Sequence, residues 1–505
     1  MQNLSVYRQL KFSSGMADKF RPEILADGYA AAAQNCFLDE EKITKRNGYA
    51  LVANDLGSKP CLGLGALETG AGSKTIFSVF DDATSTNSDI YYWEGSGNWA
   101  TITGATDLTA GKIGNFVQAN NNTYYFNQTD TVRKIAGTTA TSIAAIPLGL
   151  YGVWFHNFLF VSGVTANPSR LYWSDVGAPD THSGGVSGNV DINPDDGEPI
   201  TGLSSLKDEL IIFKRSRVWS LTGFGTTTFT LADITERLTG IGTLSHKSII
   251  NTGNDLLFIS FLGQIPHIKA LSRTRFGTLV DGGIISDPIA TTMNGLNKGA
   301  LDKVAAIFDG RKAWIAVPNG ASTFNNLVLV YDTVDKSWTK HTGINASNWL
   351  SFGIGSTIEI YFGEGNTDSK VYKLGTTKDD NSATIAFQYT TKKIRPSPEK
   401  ENTWIYLYVT ADATGNYDVT VEYSLDGFTF TTLGTLNLLG IGATWGTGVW
   451  GTMKWGSTDT VRERFAFPSI TSQDIQLRFT NTTDDADISI TEYELFFKTK
   501  GLRDV

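Results

Sequence analysis

Residues that usually carry catalysis or bind metals are few in this sequence and lie far apart. The two cysteines, Cys36 and Cys61, stand alone. No histidine pairs with another histidine, a cysteine or a carboxylate at the spacing of a metal-ligand set. The histidines are His156, His182, His246, His267 and His341. This pattern predicts turn or surface histidines, thiols kept reduced in a cytoplasm, and no metal site.

Motifs of the common enzyme classes are also missing from the sequence. There is no G-x-S-x-G nucleophile turn, no phosphate-binding G-x-x-x-x-G-K-[ST], and no G-x-G-x-x-G that opens a helix. The stretch SLDGFTF (424–430) is close to the S-x-D-x-G-x-T-W turn of sialidases, but Gly427 directly follows Asp426. An Asp-Gly hairpin turn is the better interpretation. We expect no catalytic residues, no cofactor and no enzymatic activity.

Two stretches carry side chains suited to binding a protein partner. LDEEKITKRNGY (38–49) places an acidic turn before a basic one, typical of a solvated turn or of ionic contacts to a neighbour. GATWGTGVWGTMKWG (442–456) repeats tryptophan every five residues among glycines, a spacing that suits a contact loop or a small core packed on its own sheet. The candidate assembly contacts are Asp39, Lys45, Arg46, Trp445, Trp450 and Trp455.

The elements that must position these residues are predicted to be strands. From about residue 60, runs of four to eight residues rich in Val, Ile, Tyr, Phe and Trp alternate with Gly, Asp, Asn and Ser clusters. Aromatic triplets recur at intervals of roughly 33 to 64 residues, which bracket the length of a four-stranded propeller blade. The triplets are YYW near 92, YYF near 125, LYW near 172, VWS near 219, PHI near 267, LVY near 330 and VYK near 372. They predict a propeller-like body of about seven blades; a series of unrelated β-meanders is the alternative.

The pattern changes at two further places. Residues 285–308 offer Ser286 or Asp287 as a helix cap and Pro288 at the first helical position, so a short helix or pair of turns is expected there. After residue 378 the strands are longer and alternate more cleanly, as in a β-sandwich. We therefore predict an all-β chain of three parts: a docking segment (1–55), a β-propeller-like domain (56–377) and a C-terminal β-sandwich (378–505).

Composition and charge narrow the class of function. Hydrophobic residues make up 41% of the 505 residues and aromatics 11%, enough for a substantial core. The net charge of −9 disfavours tight DNA binding, although an acidic wall would let a duplex slide past. No apolar run approaches the roughly 18 residues that cross a bilayer, and no secretory signal begins the chain. The protein is expected to be soluble, made in the cytosol and without a membrane partner.

The N-terminal stretch from residue 25 to 49 carries a resemblance to a known family. Its pattern, L-x-D-G-x-A-x-x-A-x-N-x-x-L-D-E-x-x-I-x-K-R-x-G-Y, resembles the N-terminal region of tail hub or nozzle proteins of short-tailed bacteriophages, including the packaged-DNA stabilisation type. The matching residues are Asp27, Gly28, Ala30, Ala33, Asn35, Leu38, Asp39, Ile43, Lys45, Arg46, Gly48 and Tyr49. The resemblance covers about 30 residues; the rest of the chain is compatible in architecture.

This resemblance implies a structural virion protein. Proteins of this kind form a sixfold ring beneath the portal and its adaptor, enclose the DNA exit channel, help retain the packaged genome, and hold tail fibres or spikes. It implies a homo-oligomer located in the virion tail and assembled in the host cytoplasm. The alternative is a carbohydrate-binding or glycoside-cleaving propeller, which would place two carboxylates within about 10 Å at the propeller centre. From the sequence, YAAAAQN is either a short docking helix or a strand, and Gly48-Tyr49 is expected to lead into the first blade.

Overall fold

The structure is a computed structural model of the chain. It describes residues 4–38, 41–57, 59–82, 84, 86–224, 229–262, 265–273, 279–354, 357–366, 369–397, 399–440 and 459–500.

The middle of the chain forms seven antiparallel units with four main strands each. Six of them use strands that follow one another or nearly so, and the seventh takes its outermost strand from residues 49–51. The sixth unit is one end of a nine-stranded sheet. These units are the blades of a β-propeller, numbered here in chain order. Blade 1 is Gly63–Glu68, Lys74–Asp81, Asn87–Trp93 and Leu108–Thr109, with a short extra strand Ala100–Thr101; blade 2 is Asn115–Ala119, Asn122–Phe126, Arg133–Ala136 and Thr139–Ser142; blade 3 is Tyr151–Phe155, Phe158–Ser162, Arg170–Trp173 and Gly188–Asp191; blade 4 is Ile200–Leu206, Glu209–Lys214, Arg217–Leu221 and Ile234–Thr239. Blade 5 is Ile250–Asn251, Asp255–Leu262, Ile265–Arg273 and Leu279–Ile284; blade 6 is Ala305–Phe308, Lys312–Val317, Leu327–Asp332 and Ser337–His341; blade 7 is Ala346–Phe352, Glu359–Glu364, Val371–Leu374 and Tyr49–Leu51.

The blades close into a ring. The first strand of each blade contacts the first strand of the next, and blade 7 contacts blade 1 in the same way. Apolar clusters fill the space between neighbouring blades, since strands with both faces covered bury nearly every side chain. Phe77 and Tyr125 pack between blades 1 and 2, for example, and Ile76 and Tyr361 between blades 1 and 7. The prediction of an all-β chain with about seven blades is therefore confirmed.

The aromatic triplets that suggested the repeat fall one to a blade. Six of the seven lie in the third strand of their blade, as Tyr91–Trp93 does in blade 1. The exception is Tyr124–Phe126, which is in the second strand of blade 2. Aromatic side chains of the third strands pack in the clusters between neighbouring blades, as Tyr92 does between blades 1 and 2 and Tyr372 between blades 6 and 7.

The rest of the chain forms a β-sandwich of two sheets, S1 and S2. S1 contains Ser5–Gln9, Cys36–Leu38, Ile43–Lys45, Asn402–Asp412, Thr460–Ser472 and Ser489–Thr499; S2 contains Ala30–Gln34, Phe387–Thr391, Asp418–Ser424, Thr431–Asn437 and Gln476–Asn481. Alternate residues of Asn402–Asp412 are buried, as expected of a strand with one covered face. The Phe12 ring lies between S2 and S1, 6.0 Å from Tyr389 and 6.2 Å from Tyr493.

The N-terminal residues are built into this sandwich. Ser5–Gln9 and Ile43–Lys45 both pair with Ser489–Thr499 in S1. Ala30–Gln34, within YAAAAQN, is a strand, and it pairs with Phe387–Thr391 of S2 on one side and with the outer strand of blade 6 on the other. The division at residues 55 and 377 stays a prediction, but strands from its first part lie in the sheets of its last part.

The expectation that Gly48-Tyr49 leads into the first blade is wrong. Tyr49–Leu51 pairs with Val371–Leu374 and is the outermost strand of blade 7, the last blade of the chain. The reason is geometric: a propeller ring is closed when one blade combines strands from both ends of its sequence, which removes a free sheet edge.

The predicted helical insertion is present and short. It consists of the 3-10 turn Asp287–Ile289, the α-helix Ala290–Asn294 and the 3-10 segment Lys298–Lys303. It connects blades 5 and 6 and buries Met293 and Leu301 in the core. Three further 3-10 turns are Pro194–Asp196, Leu231–Asp233 and His246–Ser248.

Candidate functional site

Arg46 lies at a buried joint between propeller and sandwich. Its side chain is 1% exposed, and its two Nη atoms donate to the Asp380 carboxylate at 2.7 and 2.5 Å. Nη2 also donates to the Thr342 carbonyl (2.8 Å), and Nε donates to Asn35 Oδ1 (3.0 Å). Arg46 thus ties together the N-terminal segment, the connection from blade 6 to blade 7, and the linker after blade 7. Bidentate pairing with every donor used suits a buried guanidinium.

Asn35 completes the joint. Its φ of 55° is left-handed, which Asn tolerates better than most residues, and this turns its amide inward. Nδ2 donates to Thr342 Oγ1 (2.9 Å) and to the Ala386 carbonyl (2.8 Å), while Oδ1 accepts from the Thr342 amide (2.9 Å). Asn35 and Arg46, two of the residues that carry the resemblance, therefore bond each other within the chain.

Lys45 is likewise interior, 5% exposed. Its Nζ donates to Asn481 Oδ1 (3.0 Å) and to the Thr483 carbonyl (3.2 Å), and burial lowers its pKa to about 8. In this structure Lys45 and Arg46 are buried and bonded within the chain, and their role as contacts to a neighbour stays a prediction. The physical reason for their burial is that the basic strand pairs inside S1, so its long side chains reach across the joint. Asp39, Trp445, Trp450 and Trp455 lie outside the described residues.

The Asp426 turn has the structural role expected from the sequence. Asp426 Oδ1 accepts from the backbone amides of Phe428 (2.7 Å) and Thr429 (2.8 Å) and from Ser424 Oγ (2.8 Å). These hydrogen bonds lower the pKa of the Asp426 carboxyl well below its usual range. Gly427 follows with φ of 85°, so the pair forms a tight turn at the end of a hairpin.

Exposed apolar side chains, missed in the sequence, lie on this turn and on a second loop that approaches it. We call them the apolar ledge: Phe20 (52% exposed), Ile24 (69%), Leu425 (37%) and Phe428 (90%). Its two loops meet at Lys393, whose amide donates to the Pro22 carbonyl (3.0 Å) and whose Nζ pairs with Glu23 (2.6 Å). A Cβ on Gly427 would lie 2.7 Å from Lys393 Cε, which places the hairpin against the same lysine. The sequence signal was a large apolar residue directly after an Asp-Gly turn.

The propeller axis holds a cavity of about 330 Å³, lined by residues from all seven blades or the turns that lead into them. The 3-10 turn His246–Ser248 brings Lys247 to this cavity. Two buried hydroxyls fix the turn: Ser245 Oγ donates to the Val304 carbonyl (2.6 Å), and Ser248 Oγ donates to the Ser245 carbonyl (2.7 Å). The lining residues are Leu64, Gly114, Asn115, Phe116, Gly152, Val153, Leu203, Ser204, Ser205, His246, Lys247, Ile249, Ala305, Ala306, Asn348 and Trp349.

The electrostatics of the cavity are set by Lys247. Burial lowers its pKa to about 8, so it carries a positive charge at pH 7. Burial also lowers the pKa of His246 to about 4 and raises that of Cys61 to about 12, which leaves both neutral. Among the described lining residues there is no Asp or Glu. The cavity therefore has one positive charge and lacks the two carboxylates that glycoside hydrolysis uses.

Metal-ligand clusters and membrane-spanning helices are absent from the described part of the chain. Within the described part of the chain, no three His, Cys, Asp or Glu side chains lie close enough to hold a metal ion together. Among those same residues no helix has the length and apolar character needed to span a bilayer.

Comparisons with known proteins bear on the fold alone. No protein-family model matches the chain, and no curated protein matches it. The Neurospora crassa Pan2 WD40 domain is similar in structure, with a TM-score of 0.42 and 8% identity over 66% of this chain and 97% of that one. YCF48 bound to D1 peptide has a TM-score of 0.41 and 10% identity, over 65% of this chain and 96% of that one. The extracellular domain of the putative hybrid two-component system BT4673 from B. thetaiotaomicron has a TM-score of 0.43 and 9% identity, over 90% of this chain and 61% of that one. The propeller assignment itself stands on the strand pairing.

Proposed function

We propose that this protein is a structural subunit of a short-tailed bacteriophage tail, of the hub or nozzle type. It assembles into a homo-oligomeric, sixfold ring that binds the portal adaptor on one side and carries tail fibres or spikes. The ring encloses an acidic DNA exit channel and helps retain the packaged genome. The protein acts through assembly and not through catalysis.

The observation that carries the proposal is the apolar ledge. Monomeric proteins rarely leave large apolar side chains clustered in water, and such clusters mark contact surfaces. Phe20 and Ile24 belong to the N-terminal segment, which ends in the stretch that resembles hub and nozzle proteins. The loop that carries Phe20 and Ile24 is held by Lys393, which bonds the Pro22 carbonyl and pairs with Glu23. A preformed surface suits a subunit that must join a ring without refolding.

Two other features support the proposal. The outer edge of blade 6 is paired with Ala30–Gln34, and the outer edge of Val371–Leu374 in blade 7 is paired with Tyr49–Leu51, so these edges are not open to association. The net charge of −9 weakens attraction to DNA phosphates, which suits a channel through which a duplex must slide.

The test is the assembly state of the purified full-length protein, alone and mixed with the portal adaptor, by native mass spectrometry and electron microscopy. A sixfold ring is expected. The double variant I24S/F428S should weaken ring formation at least about tenfold, because each buried apolar side chain contributes about 1.5–3 kcal/mol.

The matched control is V334S/I358S, which removes two apolar side chains that are 69% and 78% exposed on the propeller. It should assemble as the parent does. A protein that stays monomeric with and without the adaptor would exclude the proposal, and equal assembly of both double variants would exclude the ledge as the contact.

A second candidate function, carbohydrate binding, is favoured by one observation. The axial cavity combines an aromatic wall at Trp349 with polar groups such as Asn115, a combination found in sugar sites. A glycan array with the full-length protein tests this second candidate, and the assembly state described above tests the first.

A further inference from the structure

The half-buried Lys247, like Lys45, has no carboxylate bonded to its ammonium within the described residues, and it differs from Lys45 in that it lines the axial cavity. Lys214, with a fully buried side chain, bonds both Asp196 oxygens at 2.8 and 2.9 Å. Lys269, 5% exposed, bonds Asp281 at 2.8 Å. The recorded partner of Lys247 Nζ is Asn348 Oδ1, a neutral acceptor. An ammonium removed from bulk water without an opposite charge is costly, so chains normally pair it.

The surroundings of Lys247 are built to hold it where it is. The turn that carries it is fixed by Ser245 and Ser248, as described above. The Asn348 amide is oriented by its own bonds, because Nδ2 donates to the Cys61 carbonyl (2.9 Å) and to Ser347 Oγ (2.9 Å). Asn348 Oδ1 therefore faces the ammonium, which leaves further N–H donors for a ligand in the cavity.

The cavity has room for a ligand of moderate size. Its 330 Å³ lies at the lower end of the range for small-molecule sites. Phe116 and Trp349 supply apolar surface, while Asn115, Ser204 and Ser205 supply groups that bond hydroxyls. One positive charge, several neutral polar groups and an aromatic wall match a hydroxylated ring that bears one acidic group.

We propose that the axial cavity binds a small hydroxylated oxyanion, either a carboxylate or a phosphate ester, whose acidic group pairs with the Lys247 ammonium. This site is separate from the ledge and does not depend on the assembly proposed above. Calorimetry therefore tests anion binding in the axial cavity, and mass measurement separately tests assembly of the ring.

The experiment is isothermal titration calorimetry on the full-length protein at pH 7 with three probes that share a ring. D-glucuronate tests a carboxylate, D-glucose 1-phosphate tests a phosphate, and D-glucose is the neutral match. Binding of either anion without binding of glucose is expected. The variant Lys247→Met should weaken that binding by about ten- to hundredfold, the usual value of a charge-assisted hydrogen bond. Lys298→Gln, at an exposed lysine of the propeller, should leave it unchanged.

A second readout uses the unmodified protein and so does not depend on a variant folding. His246 and Cys61 are the titratable groups that interact electrostatically with Lys247 among the described residues. Both are neutral across pH 7–10, so Lys247 is the group that loses charge there. Anion affinity should fall as pH rises from 7 to 10. Absence of binding by both anions, equal binding of glucose, an unchanged affinity in Lys247→Met, or a flat pH profile would overturn the proposal and leave a lysine that is solvated by water alone.

Discussion

At the scale of single residues, the surroundings of the buried side chain of His341 fix its protonation state. It is fully buried at the joint, with its ring 5.1 Å from that of Phe37 and 5.3 Å from that of Trp314. Nε2 lies 3.3 Å from the Cys36 carbonyl, and Nδ1 has no hydrogen-bond partner among the described residues. The ring is therefore neutral, with its proton on Nε2 donated to Cys36. Burial, with a smaller effect from Arg46, lowers the pKa of His341 well below 6.5.

This neutral histidine should make the protein sensitive to acid. His341 takes up a proton near pH 6.5 in the unfolded chain but not in the folded protein. The unfolded state is therefore favoured, and the free energy of unfolding falls, as pH drops below about 6.5. His246, with its pKa lowered to about 4, acts in the same direction. The melting temperature should fall from pH 7 to pH 5. In His341→Gln the free energy of unfolding should depend less steeply on pH. The difference corresponds to the uptake of about one proton on unfolding, or at most about 1.4 kcal/mol per pH unit.

The control for this prediction is His156→Asn. His156 is exposed and its φ is 47°, a conformation that Asn accepts. Its pH dependence should equal that of the parent. An identical slope in His341→Gln and the parent would show that His341 is not the titrating group.

At the scale of elements, the strand Tyr49–Leu51 is only three residues long, yet it completes blade 7 and so closes the ring. Tyr49 packs its ring on Phe362 (5.0 Å) and Tyr372 (4.6 Å), and its hydroxyl donates to the Gly343 carbonyl (2.8 Å). The residue before it, Gly48, is buried against the linker after blade 7. A Cβ at Gly48 would lie 1.6 Å from the Asp379 carbonyl oxygen, a position that two atoms cannot share.

We therefore expect Gly48→Ala to displace the closing strand. The backbone bonds from Gly48 to Thr377 (2.8 Å) and from Gly375 to Gly48 (2.7 Å) would be lost or stretched. The free energy of unfolding, measured by urea titration, should fall by about 2–4 kcal/mol. Gly70→Ala is the control, because its nearest new contact is 3.5 Å away and its change should stay within about 0.5 kcal/mol. Equal stability of the two variants would contradict the assigned role of this strand.

Across the whole molecule, propeller and sandwich share one core. The largest apolar cluster joins Leu257 of blade 5 and Leu329 of blade 6 to Leu407 of S1 and Phe479 of S2. The outer strand of blade 6 continues into S2 through Ala30–Gln34. Strands from both chain ends pair in S1. The two parts are therefore coupled by apolar contact, by hydrogen bonding and by chain connection.

This coupling predicts that the full chain unfolds as one unit. Differential scanning calorimetry should show a single transition for the full-length protein, although its two parts differ in architecture. Arg46→Met leaves Asp380 buried without a partner, which typically costs about 3–5 kcal/mol. It should lower the temperature of that one transition as a whole. Two separated transitions, or a shift of only one of them in Arg46→Met, would contradict a shared core.

The all-β class, the seven-blade body, the sandwich, the Asp426 turn and the helical insertion could all be predicted from the sequence. Each of these depends on local information, because apolar periodicity reports which faces are buried and Gly, Asp and Pro report where the chain turns. The candidate functional sites could not be predicted from the sequence. The ledge and the unpaired charge of Lys247 both depend on which loops become neighbours, and no spacing in the sequence encodes that.

By itself, then, the sequence determined that the chain is built from short strands bounded by turns, in a propeller-like body of about seven blades followed by a sandwich. Only the tertiary structure decided which strands pair, that Tyr49 completes the last blade and not the first, and that Arg46 and Lys45 lie inside a joint. The physical reason is that every strand edge offers the same backbone donors and acceptors. Which strands pair is decided by ring closure and by the packing of the shared core. Both depend on contacts between residues that are far apart in the sequence.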